Sequence, residues 1–204
     1  MSKITPTHLK ESVAKVLAFA QEKKRNFTET VEIQMSLKNY DPNKSKRLNG
    51  VLNLPYVPKD SLKICIISDE KDLDRIKAAG VTVDTRTKEE LAALKKNNKL
   101  VKKLANQYSA FLCSASLLRR LTRILGSGLN KAGKFPTPLG ATEDIADALE
   151  KVKTSVKVAL KSKKTMCICF AIGTVDSPAN EIEENIFAVV NYLASILPKN
   201  WQQI

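Results

Sequence analysis

The segment Leu62-Lys-Ile-Cys-Ile-Ile67 is a nearly continuous apolar run of strand length in a chain of 204 residues. A run of this kind is typical of a strand that helices cover on both faces. Outward from it, the pattern predicts a helix over 70–79, a short strand over 81–83, helices over 89–94 and 99–104, a strand over 110–113, a helix over 116–125, a Gly/Pro-rich loop over 126–138 and a helix over 143–152. Strands that alternate with helices predict a parallel, Rossmann-like sheet.

The residues on either side of this segment have a different pattern. Over 30–37 apolar and polar side chains alternate strictly, which predicts a half-buried strand. Further strands are predicted over 50–54, 156–160 and 166–172, with amphipathic helices over 9–24 and from Pro178 onward. Ser177 is the predicted N-cap of that final helix.

Each flank therefore holds two strands and one long helix, which is too little to be stable alone. We expect the flanks to pair into one domain. The sequence predicts a protein of α/β and α+β class with two domains: a split α+β domain of residues 1–59 and 151–204, and an inserted Rossmann-like, three-layer α/β domain of residues 60–150.

The charge points to a polyanionic partner. Thirty-four Lys and Arg against 21 Asp and Glu give a net charge of +13. Nucleic acid is the first partner that such an excess indicates, and an anionic membrane the second. No apolar run approaches the roughly 20 residues of a membrane span, and the first residues do not resemble a secretory signal. We expect no membrane partner.

The best motif for an enzyme is Gly128-Leu-Asn-Lys-Ala-Gly133-Lys134-Phe135, which matches G-x-x-x-x-G-K. A phosphate loop needs Ser or Thr after the lysine to hold magnesium, but Phe135 stands there. A nucleotide-dependent enzyme remains the rival, and measurable binding of ATP, GTP or NAD would favour it. His8 is the single histidine, and the four cysteines lie in apolar runs, so we predict buried thiols, no catalytic residue, no metal and no cofactor.

Three basic segments of the flanks are the positive signal for RNA binding. They contain Lys24 and Arg25, then Lys44, Lys46 and Arg47, then Lys161, Lys163 and Lys164. Phe27 follows the first segment and is either exposed, able to pack on a sugar or base, or an aromatic at the edge of the core. The basic residues over 95–103 and Arg119, Arg120 and Arg123 are interpreted as solvated helix faces.

Four segments together resemble the ribosomal L-one family, called L-ten-a in eukaryotes. They are Asn26-Phe-Thr-Glu-Thr-Val-Glu-Ile33, Leu37-Lys-Asn-Tyr-Asp-Pro42, Leu125-Gly126 with Lys131-Ala-Gly-Lys-Phe-Pro-Thr-Pro138, and Lys199-Asn-Trp-Gln202. The resemblance runs along the whole chain and is strongest to the eukaryotic cytosolic branch. The family's RNA contacts fall here on Phe27, Thr30, Lys164, Thr165 and Gly173.

The resemblance implies a structural constituent of the large ribosomal subunit, and not an enzyme. Its partners would be the rRNA of the mobile stalk, the exit-site tRNA and other ribosomal components, with the protein a monomer within the cytosolic ribosome and nucleolar during assembly. Members assist release of deacylated tRNA; an RNA-binding regulator of its own or other mRNAs is the alternative. Family chains continue past the equivalent of Ile204 into a strand with a Ser/Thr-Met-Gly segment that contacts RNA, so that part of the surface would be absent from this sequence.

Overall fold

A computed structural model describes most of the chain. The described residues are 4–23, 25–41, 48–59, 61–78, 80, 83–94, 97–140, 142–160 and 166–197. In chain order their helices and strands are α1 (Pro6–Glu22), β1 (Thr30–Ser36), β2 (Asn49–Asn53), β3 (Ile64–Ser68), α2 (Glu70–Ala78), β4 (Asp84–Thr87), α3 (Lys88–Ala93), α4 (Asn98–Gln107), β5 (Ala110–Ser114), α5 (Ala115–Leu125), α6 (Gly128–Lys131), β6 (Thr137–Leu139), α7 (Ile145–Thr154), β7 (Ser155–Ala159), β8 (Cys167–Thr174) and α8 (Ala179–Ile196). The mixed α/β class predicted from the sequence is confirmed.

The chain divides into two compact units. Unit 1 comprises residues 1–60 and 153–204, and unit 2 comprises residues 61–152. In unit 1 the strands from the two flanks pair with each other: β1 with β8 and β2 with β7, both antiparallel. Neither flank therefore satisfies its own strand backbone groups, and each needs the other.

The core of unit 1 follows from the alternation along its strands. In β1, Val31 and Ile33 are half-buried and Met35 is buried, whereas Glu32 and Gln34 between them are exposed. Opposite this face lie the apolar residues of α8, which are Ile182, Ile186, Val189, Val190 and Leu193. A strand period of two and a helix period near 3.6 thus present matching apolar faces.

Asn185 is the buried polar residue of that helix, and it joins two segments of unit 1. Its side-chain amide donates to the carbonyl oxygens of Ile172 at 2.8 Å and Tyr56 at 3.3 Å. Its Oδ1 accepts a hydrogen bond from the Tyr56 amide at 3.1 Å. One buried side chain therefore fixes the segment after β2 to the end of β8.

Unit 2 is a four-stranded parallel sheet in the order β4-β3-β5-β6. Alternate residues of β3 and β5 enter two separate apolar clusters, one with α3, α4, α5 and α6, the other with α2 and α7. Ile66 and Ile67 are fully buried on opposite sides of β3. Coverage of both faces explains why every residue from Ile64 to Ile67 is apolar.

Several sequence predictions were wrong in detail. A strand lies over Asp84–Thr87, three residues later than the expected strand over 81–83, of which residues 81–82 lie outside the described part. It is a polar strand at the edge of the sheet and pairs with β3. The expected loop over 126–138 contains α6 and β6. β6 was not predicted because it is three residues long and includes Pro138, which an edge strand tolerates.

The N-cap and two of the thiols also differ from expectation. The residue at the N-cap of α8 is Pro178 rather than Ser177, whose hydroxyl instead accepts a hydrogen bond from the Thr174 amide at 3.3 Å. Cys65 and Cys113 are buried as predicted, but Cys167 and Cys169 are exposed. Both exposed thiols occupy the outward positions of β8, so an apolar sequence run did not require burial on both faces.

Candidate RNA-binding surface

The segment between α1 and β1 is held at one end of the β1–β8 strand pair. After the helix, the Arg25 Nε lies 3.0 Å from the Glu29 carboxylate. The Glu29 carbonyl in turn accepts a hydrogen bond from the Val175 amide at 3.1 Å, directly beyond the end of β8. These contacts tie the first predicted RNA-binding segment to the sheet and orient the residues within it.

Phe27 lies in that segment with 64% of its surface exposed. With Arg25, Asn26, Thr28 and Asp176, among others, it lines a concavity of about 640 Å³. Of the two sequence alternatives for its position, the structure supports exposure and excludes a place in the core. An exposed aromatic ring beside a guanidinium group is suited to stack on a base or a sugar; contact with RNA itself stays a prediction.

Thr30 and Gly173 lie near this concavity but differ in accessibility. Thr30 is exposed and is in register with Thr174 on β8. Gly173 is buried, and a Cβ placed on it would lie 3.2 Å from Cγ1 of Ile182 on α8. The structure thus gives Gly173 a packing role between strand and helix, and the RNA contact that the resemblance implies for it remains untested.

The other predicted site residues lie outside the described part of the chain. They are Lys24, Lys44, Lys46, Arg47, Lys161, Lys163, Lys164 and Thr165. The residue that follows the third basic segment is described: the Met166 carbonyl accepts a hydrogen bond from the Leu37 amide at 2.7 Å, next to the Ser36–Cys167 pair.

The described residues next to two of the predicted segments lie at opposite ends of the β1–β8 pair. Phe27 adjoins the Thr30–Thr174 end, whereas Met166, which follows the third basic segment in the chain, lies at the Ser36–Cys167 end. At about 3.3 Å per residue, the seven residues of β1 separate these ends by roughly 20 Å. This separation could not be predicted, because register between distant strands is not visible in a local sequence pattern.

The basic residues on α4 and α5 are solvated. Lys99, Lys102 and Lys103 on α4 are exposed, as are Arg119, Arg120 and Arg123 on α5. Their neighbours on the same helices, such as Val101 and Leu121, fill the core. This agrees with the interpretation of amphipathic helices with charged outer faces.

Lys134, the lysine of the G-x-x-x-x-G-K match, has a structural use. Its ammonium group donates to the carbonyl oxygens of Ala105 and Tyr108, both at 2.8 Å, at the carboxyl end of α4. A cation there satisfies carbonyl groups that the helix leaves without partners. The short helix α6 begins at Gly128, the first residue of the motif, and follows α5, so the segment lacks the strand, loop and helix order of a phosphate loop.

The described residues contain no group of three or more His, Cys, Asp and Glu side chains arranged to hold a metal ion. No helix among them has both the length and the apolar character to cross a bilayer. His8 is exposed near the start of α1.

The chain is basic and consists of a split α/β unit and an inserted parallel α/β unit. An exposed aromatic residue lies beside basic segments. These features are typical of a nucleic-acid-binding protein. Residues 16–204 match the profile described as the Ribosomal protein L1p/L10e family. The chain belongs to this family, as the sequence motifs predicted.

Relatives from several eukaryotes extend the match to the whole chain. The chain is 46% identical over 204 residues to the large ribosomal subunit protein uL1A of Schizosaccharomyces pombe, covering 100% of this chain and 93% of the relative. It is 44% identical over 205 residues to uL1 of Neurospora crassa and 43% identical over 203 residues to uL1 of Spodoptera frugiperda, covering 100% of this chain and 93% and 92% of those proteins. These relatives are ribosomal proteins by name, so the prediction that the chain is not an enzyme is confirmed at the level of the family.

Proposed function

We propose that this protein is a structural constituent of the large ribosomal subunit that binds the rRNA of the mobile stalk near the tRNA exit site. In this role it assists the release of deacylated tRNA during translation. It acts as a monomer within the cytosolic ribosome and passes through the nucleolus during assembly. Its partners are the stalk rRNA, the exit-site tRNA and neighbouring ribosomal components.

The observation that carries this proposal is the exposed Phe27 ring in a concavity shared with Arg25. An aromatic side chain that is 64% exposed leaves apolar surface that a partner can cover favourably. RNA offers a flat aromatic or sugar surface to the ring and a phosphate to the guanidinium group. The relatives, which are named as large ribosomal subunit proteins, support rRNA as the class of RNA that is bound.

Binding of a stalk rRNA fragment by the Phe27→Ala variant tests the surface. Base–aromatic stacking contributes about 1–3 kcal/mol, so the dissociation constant should rise by about 5- to 150-fold. That loss should be similar at low and high salt, since stacking releases no counterions. Phe135→Ala is the matched control, because Phe135 is an exposed aromatic residue of unit 2, 40% accessible; it should bind like the wild type.

Charge variants separate the electrostatic contribution. Arg25→Ala should weaken binding mainly at low salt and reduce the slope of log affinity against log salt by about 0.7–0.9, the value for one phosphate contact. Lys164→Ala should behave in the same way. Unchanged binding in Phe27→Ala and in both charge variants would show that this surface is misassigned.

Sedimentation of the native protein distinguishes the alternative function. A ribosomal constituent runs with large subunits in a sucrose gradient, whereas a free regulator of mRNAs stays near the top. Recovery in the upper fractions alone, at physiological salt, would replace the ribosomal proposal by the regulatory one.

A further inference from the structure

Unit 2 contains a crevice that RNA binding by unit 1 does not use. The parallel strands run in the order β4-β3-β5-β6, and β3 comes first in the chain. The chain goes from β3 to β4 on one side and afterwards to β5 on the other, so the winding reverses between β3 and β5. In open parallel sheets, ligands bind outside the carboxyl ends of the strands at such a point. A crevice of about 530 Å³ lies there, lined by Ser68, Asp69, Asp72, Thr87, Glu89 and Ser116.

The crevice is locally acidic in a chain of net charge +13. Three carboxylates line it, and Lys88 is the basic residue among its lining side chains. Burial and, to a smaller extent, the negative charges of Asp69 and Asp72 raise the pKa of the nearby Cys113 thiol to about 12. The charged side chains that line the crevice are thus mainly acidic, whereas the chain as a whole is basic.

The two aspartates have different neighbours. Arg75 lies 3.1 Å from Oδ1 of Asp72, and the Ser114 hydroxyl donates to Oδ2, so the Asp72 carboxylate is satisfied within the protein. Asp69 accepts a hydrogen bond from the Ser116 hydroxyl on Oδ2 at 2.8 Å. Its Oδ1 accepts none from the residues that the structure describes, and it lines the crevice.

Ser68 is an independent indication of a ligand. It ends β3, is 1% exposed and lines the crevice beside Asp69. Its hydroxyl is the buried side-chain polar atom for which no hydrogen-bond partner is found among the described residues. A buried hydroxyl without a partner costs folding free energy. The favourable position of acids at the start of α2 explains Asp69 and Asp72 but leaves this hydroxyl unexplained.

We propose that this crevice binds a small organic polycation of the polyamine class through N–H donors to Asp69, Glu89 and the Ser68 hydroxyl. An ammonium chain suits a crevice of about 530 Å³ with acceptors spread along it. A directly ligated metal ion suits it less, because Arg75 already neutralises Asp72 and leaves too few carboxylates for a dehydrated ion.

Isothermal titration of the full-length protein with spermidine tests this. The wild type should bind one equivalent saturably, and Asp69→Asn should weaken binding by about tenfold or more, as for loss of a charge-assisted pair. Asp74→Asn is the matched control: it removes the same charge from an exposed position of α2 outside the crevice. It should retain the wild-type affinity.

Two results would overturn the proposal. One is equal weakening in Asp69→Asn and Asp74→Asn, which would indicate diffuse attraction; the other is an absence of saturable binding by the wild type. Amide chemical shifts of the wild type report the site without any variant, and spermidine should move Ser68, Asp69, Thr87 and Ser116 first. If Mg²⁺ alone shifts the same amides at lower concentration than spermidine, the ligand is a hydrated divalent cation and the polyamine assignment is wrong.

Discussion

Replacement of Lys134 by methionine should separate a structural lysine from a nucleotide-binding one. Methionine retains much of the apolar stem and removes the ammonium group that donates to the Ala105 and Tyr108 carbonyls, both at 2.8 Å. A hydrogen bond from a charged donor contributes about 1.5–3 kcal/mol when buried. Lys134 is only half-buried, so water partly replaces the lost donor. We expect the free energy of unfolding to fall by about 2 kcal/mol for the pair of bonds together.

Thermal unfolding followed by circular dichroism measures this loss. For a chain of this size, about 2 kcal/mol lowers Tm by roughly 4–8 °C. Lys131→Met is the control, since Lys131 is an exposed lysine of the same segment without those acceptors, and its change should stay within about 0.5 kcal/mol. ATP at millimolar concentration should leave Tm unchanged in wild type and variant. An unaltered Tm in Lys134→Met, or a rise with ATP in the wild type alone, would refute the structural role.

Four further tests address the two units. Asn185→Ala removes three hydrogen bonds at a buried position and should cost about 2–4 kcal/mol in urea denaturation; a midpoint equal to the wild type would contradict the role of this residue in joining segments. Gly173→Ala places a Cβ against α8 and should lower the free energy of unfolding by about 1–3 kcal/mol through overpacking. An unchanged urea midpoint would contradict this packing role. Burial raises the pKa of Cys65 and of Cys113 to about 12 from near 9, so the native state keeps protons that the unfolded state releases, and stability should fall as pH rises from about 9 towards 12. Iodoacetamide at pH 8 should modify Cys167 quickly and the two buried thiols only after unfolding, as peptide mass mapping will show.

The core of both units was predictable because its strands follow short, local patterns of apolar residues. The alternation of Val31, Ile33 and Met35 and the apolar run through Ile66 and Ile67 each determine a strand and its buried face without outside information. The elements that were missed depend on neighbours instead. β4 is polar, and β6 contains Pro138, so neither has a local signature; each is a strand because an edge of the parallel sheet offers it a partner.

The candidate surface was likewise predictable only in part. The sequence placed Phe27 next to basic residues but left its exposure open, since a hydrophobic residue before a strand occurs equally at the edge of a core. The salt bridge between Glu29 and Arg25 and the hydrogen bond from the Val175 amide to the Glu29 carbonyl hold the segment outward, so that Phe27 is exposed. The packing role of Gly173 could not be read from the sequence either, because it depends on Ile182 of a helix that comes later in the chain.

If the protein binds RNA as proposed, the roughly 20 Å between the two ends of the β1–β8 pair makes it select RNA by shape as well as by charge. If the aromatic contact lies at one end and the lysine-rich segment at the other, the second contact forms at a high effective concentration only on an RNA whose own structure holds two sites at that spacing. A flexible single strand would have to be ordered to reach both, and would lose most of the gain as conformational entropy. Fixed strand register thus sets a distance requirement, and a folded rRNA element meets it more readily than an unfolded transcript of the same composition.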